Sequence, residues 1–124
     1  MRPMMTATAR RTVFGLLAAI FGAAAAFHLA AVVRPSLDPG APAPRHATFV
    51  AINLGCALGF VFRPKWFVAA FGLLVVQQLF SHGGQALREW QGAGRLDVAS
   101  LGVLAVMPIA LALLIVDARS ASKR

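Results

Sequence analysis

The sequence predicts an all-α fold, an integral membrane antiparallel bundle of four helices. The chain has 124 residues and is 59% hydrophobic, above the roughly 45–50% apolar content of soluble domains. Its apolar residues fall in four uncharged stretches, and backbone in lipid must satisfy its own hydrogen bonds, which a helix does within one segment. We therefore expect residues 1–124 to form a single transmembrane domain.

The first helix is expected over residues 13–33, a stretch of roughly 30 Å at about 1.5 Å per residue. A cleaved secretory signal is the alternative, because Arg10 and Arg11 precede the apolar run and the alanines at 23–26 offer a cleavage site. The run continues past those alanines to Val33, which favours a membrane helix. Residues 34–45 contain four prolines and a glycine, which predicts an extended, non-cytoplasmic loop.

The second and third helices are expected over residues 46–62 and 66–82, and both are short for a membrane span. Only Arg63-Pro64-Lys65 separates them, so a tight turn is expected there. Gly83-Gly84 indicates the end of the third helix, and residues 85–91 are compatible with a short helix in the membrane interface.

The fourth helix is expected over residues 98–116. Asp97 precedes it, where a carboxylate interacts favourably with the positive end of the helix dipole. A basic tail at 117–124 completes the chain. No internal repeat is visible in the sequence.

The distribution of basic residues predicts the orientation in the cell (inner) membrane. If the chain crosses four times, 8 Lys and Arg residues lie on the side of the termini and 4 on the other side. The positive-inside rule then places both the N- and C-termini in the cytoplasm. The basic residues on the cytoplasmic side are Arg2, Arg10, Arg11, Arg63, Lys65, Arg119, Lys123 and Arg124.

In a soluble protein a net charge of +8 would suggest binding to nucleic acid. Here the basic residues flank apolar stretches, so the expected partner is the lipid bilayer and not nucleic acid. Catalysis is not expected, because the sequence contains no recognisable triad, phosphate loop or dinucleotide motif. Cys56 lies within an apolar run and is interpreted as a small buried hydrophobe.

Uncharged polar side chains collect in the predicted non-cytoplasmic half of the bundle. Polar groups at membrane depth are costly, face the interior and are candidates for function. This predicts a ligand-binding region on several helices. Its candidate residues are His28, His46, Asn53, Gln77, Gln78 and His82.

These residues leave several functions open. The leading hypothesis is an accessory subunit or ligand-binding module. One alternative is a redox protein that binds haem or a metal ion through His28 and His82, with His46 as a further metal ligand. Another is a quinone- or lipid-binding protein that uses the amides of Asn53, Gln77 and Gln78. Hydrogen bonds between helices are the favoured interpretation of these same side chains, and transport or a proton relay has the least support.

A possible contact with other membrane subunits is indicated on the second helix. Gly55 and Gly59 form a GxxxG pattern, which permits close approach of another helix. This face points away from Asn53 on a helix that turns about 100° per residue, so the helix is expected to have two faces that avoid lipid.

Overall fold

A computed structural model describes residues 5–122 and is 86% helical. Helix α1 spans Ala7–Val33, α2 Ala43–Phe62, α3 Phe67–Ala93 and α4 Val98–Ala121, and a 3-10 helix at Pro35–Leu37 lies between α1 and α2. All four α-helices are long and apolar enough to cross a membrane. The predicted all-α fold with four membrane-length helices is confirmed.

The helices form two compact units that divide at the Arg63–Pro64 bond. In the first unit α1 packs against α2, and in the second unit α3 packs against α4. Each unit is thus a hairpin of two sequential helices, as the short connections between neighbouring apolar stretches require.

Aromatic rings form the core of the first unit. Phe60 of α2 is fully buried, and its ring centroid lies 6.2 Å from that of Phe14 and 5.4 Å from that of Phe21, both on α1. Arg63 ends α2 in the left-handed region at φ 49°, and its guanidinium carbon lies 4.9 Å from the centre of the Phe14 ring. The turn after α2 is therefore attached to α1 by a cation–π contact.

Two helices extend beyond their apolar stretches. α1 starts at Ala7 because the Thr6 hydroxyl accepts a hydrogen bond from the Ala9 backbone N–H at 3.1 Å, an N-cap that also brings Arg10 and Arg11 into the helix. α4 continues to Ala121, so most of the expected tail at 117–124 is helical. Residues 1–4, 123 and 124, with the basic residues counted there, lie outside the described residues.

The predicted loop at 34–45 is shorter than expected, because α2 begins at Ala43. Pro44 and Arg45 lie in its first turn. A proline is tolerated there, since the first backbone N–H groups of a helix have no partner within the helix.

α3 does not end at Gly83-Gly84 but continues to Ala93, so residues 85–91 belong to α3 rather than to a separate interfacial helix. A helical glycine costs only about 1 kcal/mol, and the residues that follow are good helix formers. A Cβ atom at Gly83 would lie 4.0 Å from the Leu104 side chain, so the glycine sits at the contact with α4. The helix stops at Gly94, which has a φ of +60°.

Candidate functional site

The predicted site residues are divided between the two units. His28 on α1 and His46 and Asn53 on α2 belong to the first unit, and Gln77, Gln78 and His82 on α3 belong to the second. Each unit contains its own polar cluster, built around a histidine on the first helix of the hairpin.

The centre of the first cluster is a contact between two imidazoles. The Nδ1 atoms of His28 and His46 lie 2.9 Å apart, which is hydrogen-bonding distance, so one nitrogen carries the proton and the other accepts it. His46 is only 3% exposed, whereas His28 is half-buried. The pair joins the end of α1 to the first turns of α2.

Asp38, in the loop between α1 and α2, indicates which histidine donates. Its Oδ2 atom lies 3.6 Å from the Nε2 atom of His46, which makes no hydrogen bond within the described part of the chain, and the nearby negative charge favours a proton on that nitrogen. In the tautomer with the proton on Nε2, His46 accepts on Nδ1 from the Nδ1–H of His28, and the basic lone pair of His28 is then on Nε2. No pattern in the sequence links Asp38 to His46.

Aromatic rings fix the orientation of the His28 ring. Phe49 stacks on it with a centroid distance of 5.0 Å and an angle of 20° between the planes, and Phe27 meets it edge-on at 5.4 Å. Phe27 also lies edge-on to His46 at 6.5 Å. The guanidinium of Arg45 lies 6.0 Å from the centre of the Phe49 ring. Rings packed in this way restrict the side-chain rotamers of the histidine pair.

The second cluster surrounds His82. Its Nδ1 atom lies 2.9 Å from the hydroxyl of Ser100, a residue that is 1% exposed. The Ser100 hydroxyl donates to Asp97 Oδ2 at 2.6 Å, and the Ser100 backbone N–H donates to Asp97 Oδ1 at 3.1 Å. Because the only hydroxyl proton of Ser100 goes to Asp97, the Nδ1–H of His82 is the donor to Ser100.

Asp97 is an acceptor of several hydrogen bonds. The bond from the Ser100 hydroxyl, then that from the Ser100 backbone, lower the pKa of Asp97, and smaller contributions come from a hydrogen bond with Gln85 and the nearby His82. This order of groups differs from a hydrolytic triad, in which the imidazole lies between the serine and the carboxylate. The sequence indicates Asp97 only as the start of α4, and no pattern in it links Asp97 with His82.

The three amide side chains hydrogen-bond close to their own positions. Asn53 donates through Nδ2 to the backbone oxygen of Phe49 at 2.8 Å, one turn earlier on α2. Gln78 donates through Nε2 to the Oε1 atom of its neighbour Gln77 at 2.7 Å. Asn53 and Gln78 are buried, and Gln77 is exposed. In each of these bonds the amide N–H is used within a single helix.

Within residues 5–122, no three His, Cys, Asp or Glu side chains form a group that could hold a metal ion. Cys56 is buried and forms no disulfide among them. His28 and His82 lie in different units, and the pairing of these two residues around one cofactor stays a prediction, as does a metal site that also includes His46.

The two glycines of the GxxxG pattern have different environments within the first unit. Gly59 is buried, whereas Gly55 is exposed and a Cβ atom built on it would meet nothing within 4 Å. A contact between this face and another membrane subunit stays a prediction.

Comparisons with family models, with curated proteins and with solved structures found no match to this chain. The fold itself defines the class of protein. Four apolar helices of 20 to 27 residues make it a small multi-pass membrane protein.

Proposed function

We propose that this protein is a ligand-binding module of the membrane for haem, in which the Nε2 atom of His28 would hold the iron. The observation that carries the proposal is the hydrogen bond of 2.9 Å between the Nδ1 atoms of His28 and His46, with Asp38 beside the second ring. Histidines that bind metals almost always donate the other ring N–H to a carboxylate, carbonyl or similar acceptor, which fixes the tautomer and raises the basicity of the coordinating nitrogen.

Haem fits this site better than a free metal ion does. A free ion needs three or four protein ligands, and residues 5–122 contain no such group. A porphyrin supplies four nitrogen ligands itself, so one oriented imidazole is sufficient to bind the iron. The apolar macrocycle is also compatible with a site on an apolar helix near Phe27 and Phe49.

A quinone has less support because its carbonyl oxygens require hydrogen-bond donors. In the assigned tautomer His28 offers an acceptor at Nε2. One N–H of Asn53 is bonded to the Phe49 carbonyl, and one of Gln78 is bonded to Gln77. The first unit therefore presents a nucleophilic nitrogen more clearly than it presents a donor.

The test is a titration of the protein purified in detergent with ferric haem, followed by the absorption of the bound porphyrin. We expect saturable binding that is lost from the first unit in His28→Ala. Asn53→Leu is the matched control on the same hairpin, and it should change the affinity less than threefold. If Asn53→Leu removes the ligand while His28→Ala retains it, the haem proposal is refuted, and mass spectrometry of extracted lipids then tests for a quinone.

We also propose that both termini and the turn at residues 63–66 face the cytoplasm of a bacterial-type inner membrane. The excess of basic residues on this side supports the orientation. Single cysteines at position 65 and position 40, introduced into Cys56→Ala, would be labelled in intact cells by a reagent that does not cross membranes. We expect labelling at position 40 only, and labelling at position 65 would reverse the orientation.

A further inference from the structure

The two units share a register that the sequence does not reveal. The bond from His28 to His46 and the bond from His82 to Ser100 both connect residues 18 positions apart. The residues of the second bond also lie 54 positions after those of the first, at 82 against 28 and at 100 against 46. The polar contact therefore occupies the same place in each hairpin.

The buried positions follow the same register closely on the second helix of each hairpin and in part on the first. Four of the five buried residues of α2 have a buried counterpart 54 positions later on α4, but only two of the five buried residues of α1 have one on α3. Besides His46 and Ser100, the matching pairs are Leu17 and Phe71, Phe21 and Val75, Asn53 and Met107, Cys56 and Ala110, and Phe60 and Leu114.

The informative observation is that the polar bond and the buried residues of α2 and α4 share one offset. Helical periodicity alone gives each helix a buried face with a regular spacing of residues. It does not determine which residue of the second helix lies opposite a given residue of the first helix in each hairpin. The connections also differ, since nine residues separate α1 from α2 and four separate α3 from α4. The shared offset is thus a property of how each pair of helices packs, not of the loop length.

We infer that the two units are repeats of one hairpin, and that the second repeat carries a second imidazole site, His82 held by Ser100 and Asp97, for the same class of ligand as His28. This inference rests on the proposed function for the identity of the ligand. It predicts that each chain binds two haem groups, one in each repeat.

The chemistry of the second cluster supports the same role by a different route. Ser100 gives its proton to Asp97 at 2.6 Å, so its oxygen accepts the Nδ1–H of His82 at 2.9 Å. The basic lone pair of neutral His82 is therefore on Nε2, as in His28. In both repeats a carboxylate on the connection supports the imidazole through one intermediate residue, which is His46 in the first and Ser100 in the second.

Stoichiometry and single variants test the inference. We expect two haem groups per wild-type chain and one per chain in both His82→Ala and His28→Ala. Within His28→Ala, the further change Ser100→Ala should weaken the remaining site about 10–100-fold, the usual effect of removing a group that supports a metal ligand. Thr48→Ala, at an exposed hydroxyl of the first unit, is the control and should leave two sites.

The possible failures are distinct. One haem per chain that persists in His82→Ala refutes the second site and leaves the proposed function standing. One haem that is lost in both single variants also refutes two separate sites. The absence of any bound haem refutes the proposed function.

A measurement without haem addresses the case in which His82→Ala does not fold. The ¹⁵N chemical shifts of the imidazoles in wild-type protein should show the Nδ1–H tautomer for both His28 and His82. Ser100→Ala should change the tautomer equilibrium of His82 but not that of His28. An Nε2–H tautomer at His82 in the wild type would overturn the inference.

Discussion

Removing the acceptor of the His28 proton tests the proposed site directly. In His46→Leu the Nδ1–H of His28 loses the acceptor that lies 2.9 Å away, while the coordinating atom itself is unchanged. Loss of such a supporting partner typically lowers metal affinity about 10–100-fold. At about 1.4 kcal/mol per tenfold change, this corresponds to ~1.4–2.8 kcal/mol of binding free energy.

The structure also ranks the neighbouring variants. Asp38→Asn should have a smaller effect than His46→Leu, because Asp38 is 43% exposed and its oxygen is 3.6 Å from His46 Nε2, beyond a good hydrogen bond. We expect less than about a fivefold loss, in line with the ~1 kcal/mol upper range for exposed ion pairs. His46→Gln should recover part of the affinity, since its amide oxygen can accept the His28 proton.

The assay is a haem titration of each variant in detergent, with the helical content checked by circular dichroism. To isolate the first site, the titrations are made in a His82→Ala background. The reasoning is refuted if His46→Leu keeps the wild-type affinity while its fold is intact, or if Asp38→Asn weakens binding more than His46→Leu does.

Three further predictions concern stability in detergent, measured as thermal unfolding. Hydrogen bonds from Ser100 lower the pKa of Asp97, so the carboxylate stabilises the folded state above its ordinary pKa of ~3.9 and loses this effect as the pH falls through the lowered pKa. The stability advantage of wild type over Asp97→Asn should therefore shrink below about pH 4. An advantage that grows at lower pH would contradict the hydrogen bonds. Arg63→Ala and Arg63→Gly both lose the contact with Phe14, but only glycine adopts the left-handed backbone at φ 49° without strain. The glycine variant should therefore be more stable than the alanine variant by about 1 kcal/mol. Equal stabilities of the two variants would contradict the strain. Gly94→Ala should destabilise the protein by about 1 kcal/mol, because Gly94 has a φ of +60°. Gly92→Ala should be neutral or stabilising, because Gly92 is helical and has open space around it. The reverse order of stabilities would place the end of α3 elsewhere.

The sequence was sufficient to predict the number, type and approximate position of the helices, because apolar length is a direct consequence of membrane thickness. It was less informative at the helix ends. The cap at Thr6 and the continuation through Gly83 depend on local hydrogen bonds and packing, which hydropathy does not record.

The sequence singled out His28, His46 and His82 as polar residues within or beside apolar stretches, and their role as a site stays a prediction. It did not indicate their partners. The partners Asp38 and Ser100 are set by how two helices of a hairpin align, and a charge in a loop or a serine in a helix has no pattern that reveals this. The proposed repeat has no signal in the sequence for the same reason, since the two units share some buried positions, mainly on α2 and α4, rather than amino acids.

The length of α3 has a consequence outside the bilayer. Its 27 residues extend about 40 Å at ~1.5 Å per residue, against a hydrocarbon thickness of about 30 Å. If the helix crosses with little tilt, roughly two turns project past the acyl chains as a rigid stalk that carries Arg88 and Glu89. A soluble reporter inserted after Gly92 would then lie at a fixed distance above the headgroups. Measuring that distance would give the depth of α3 in the bilayer.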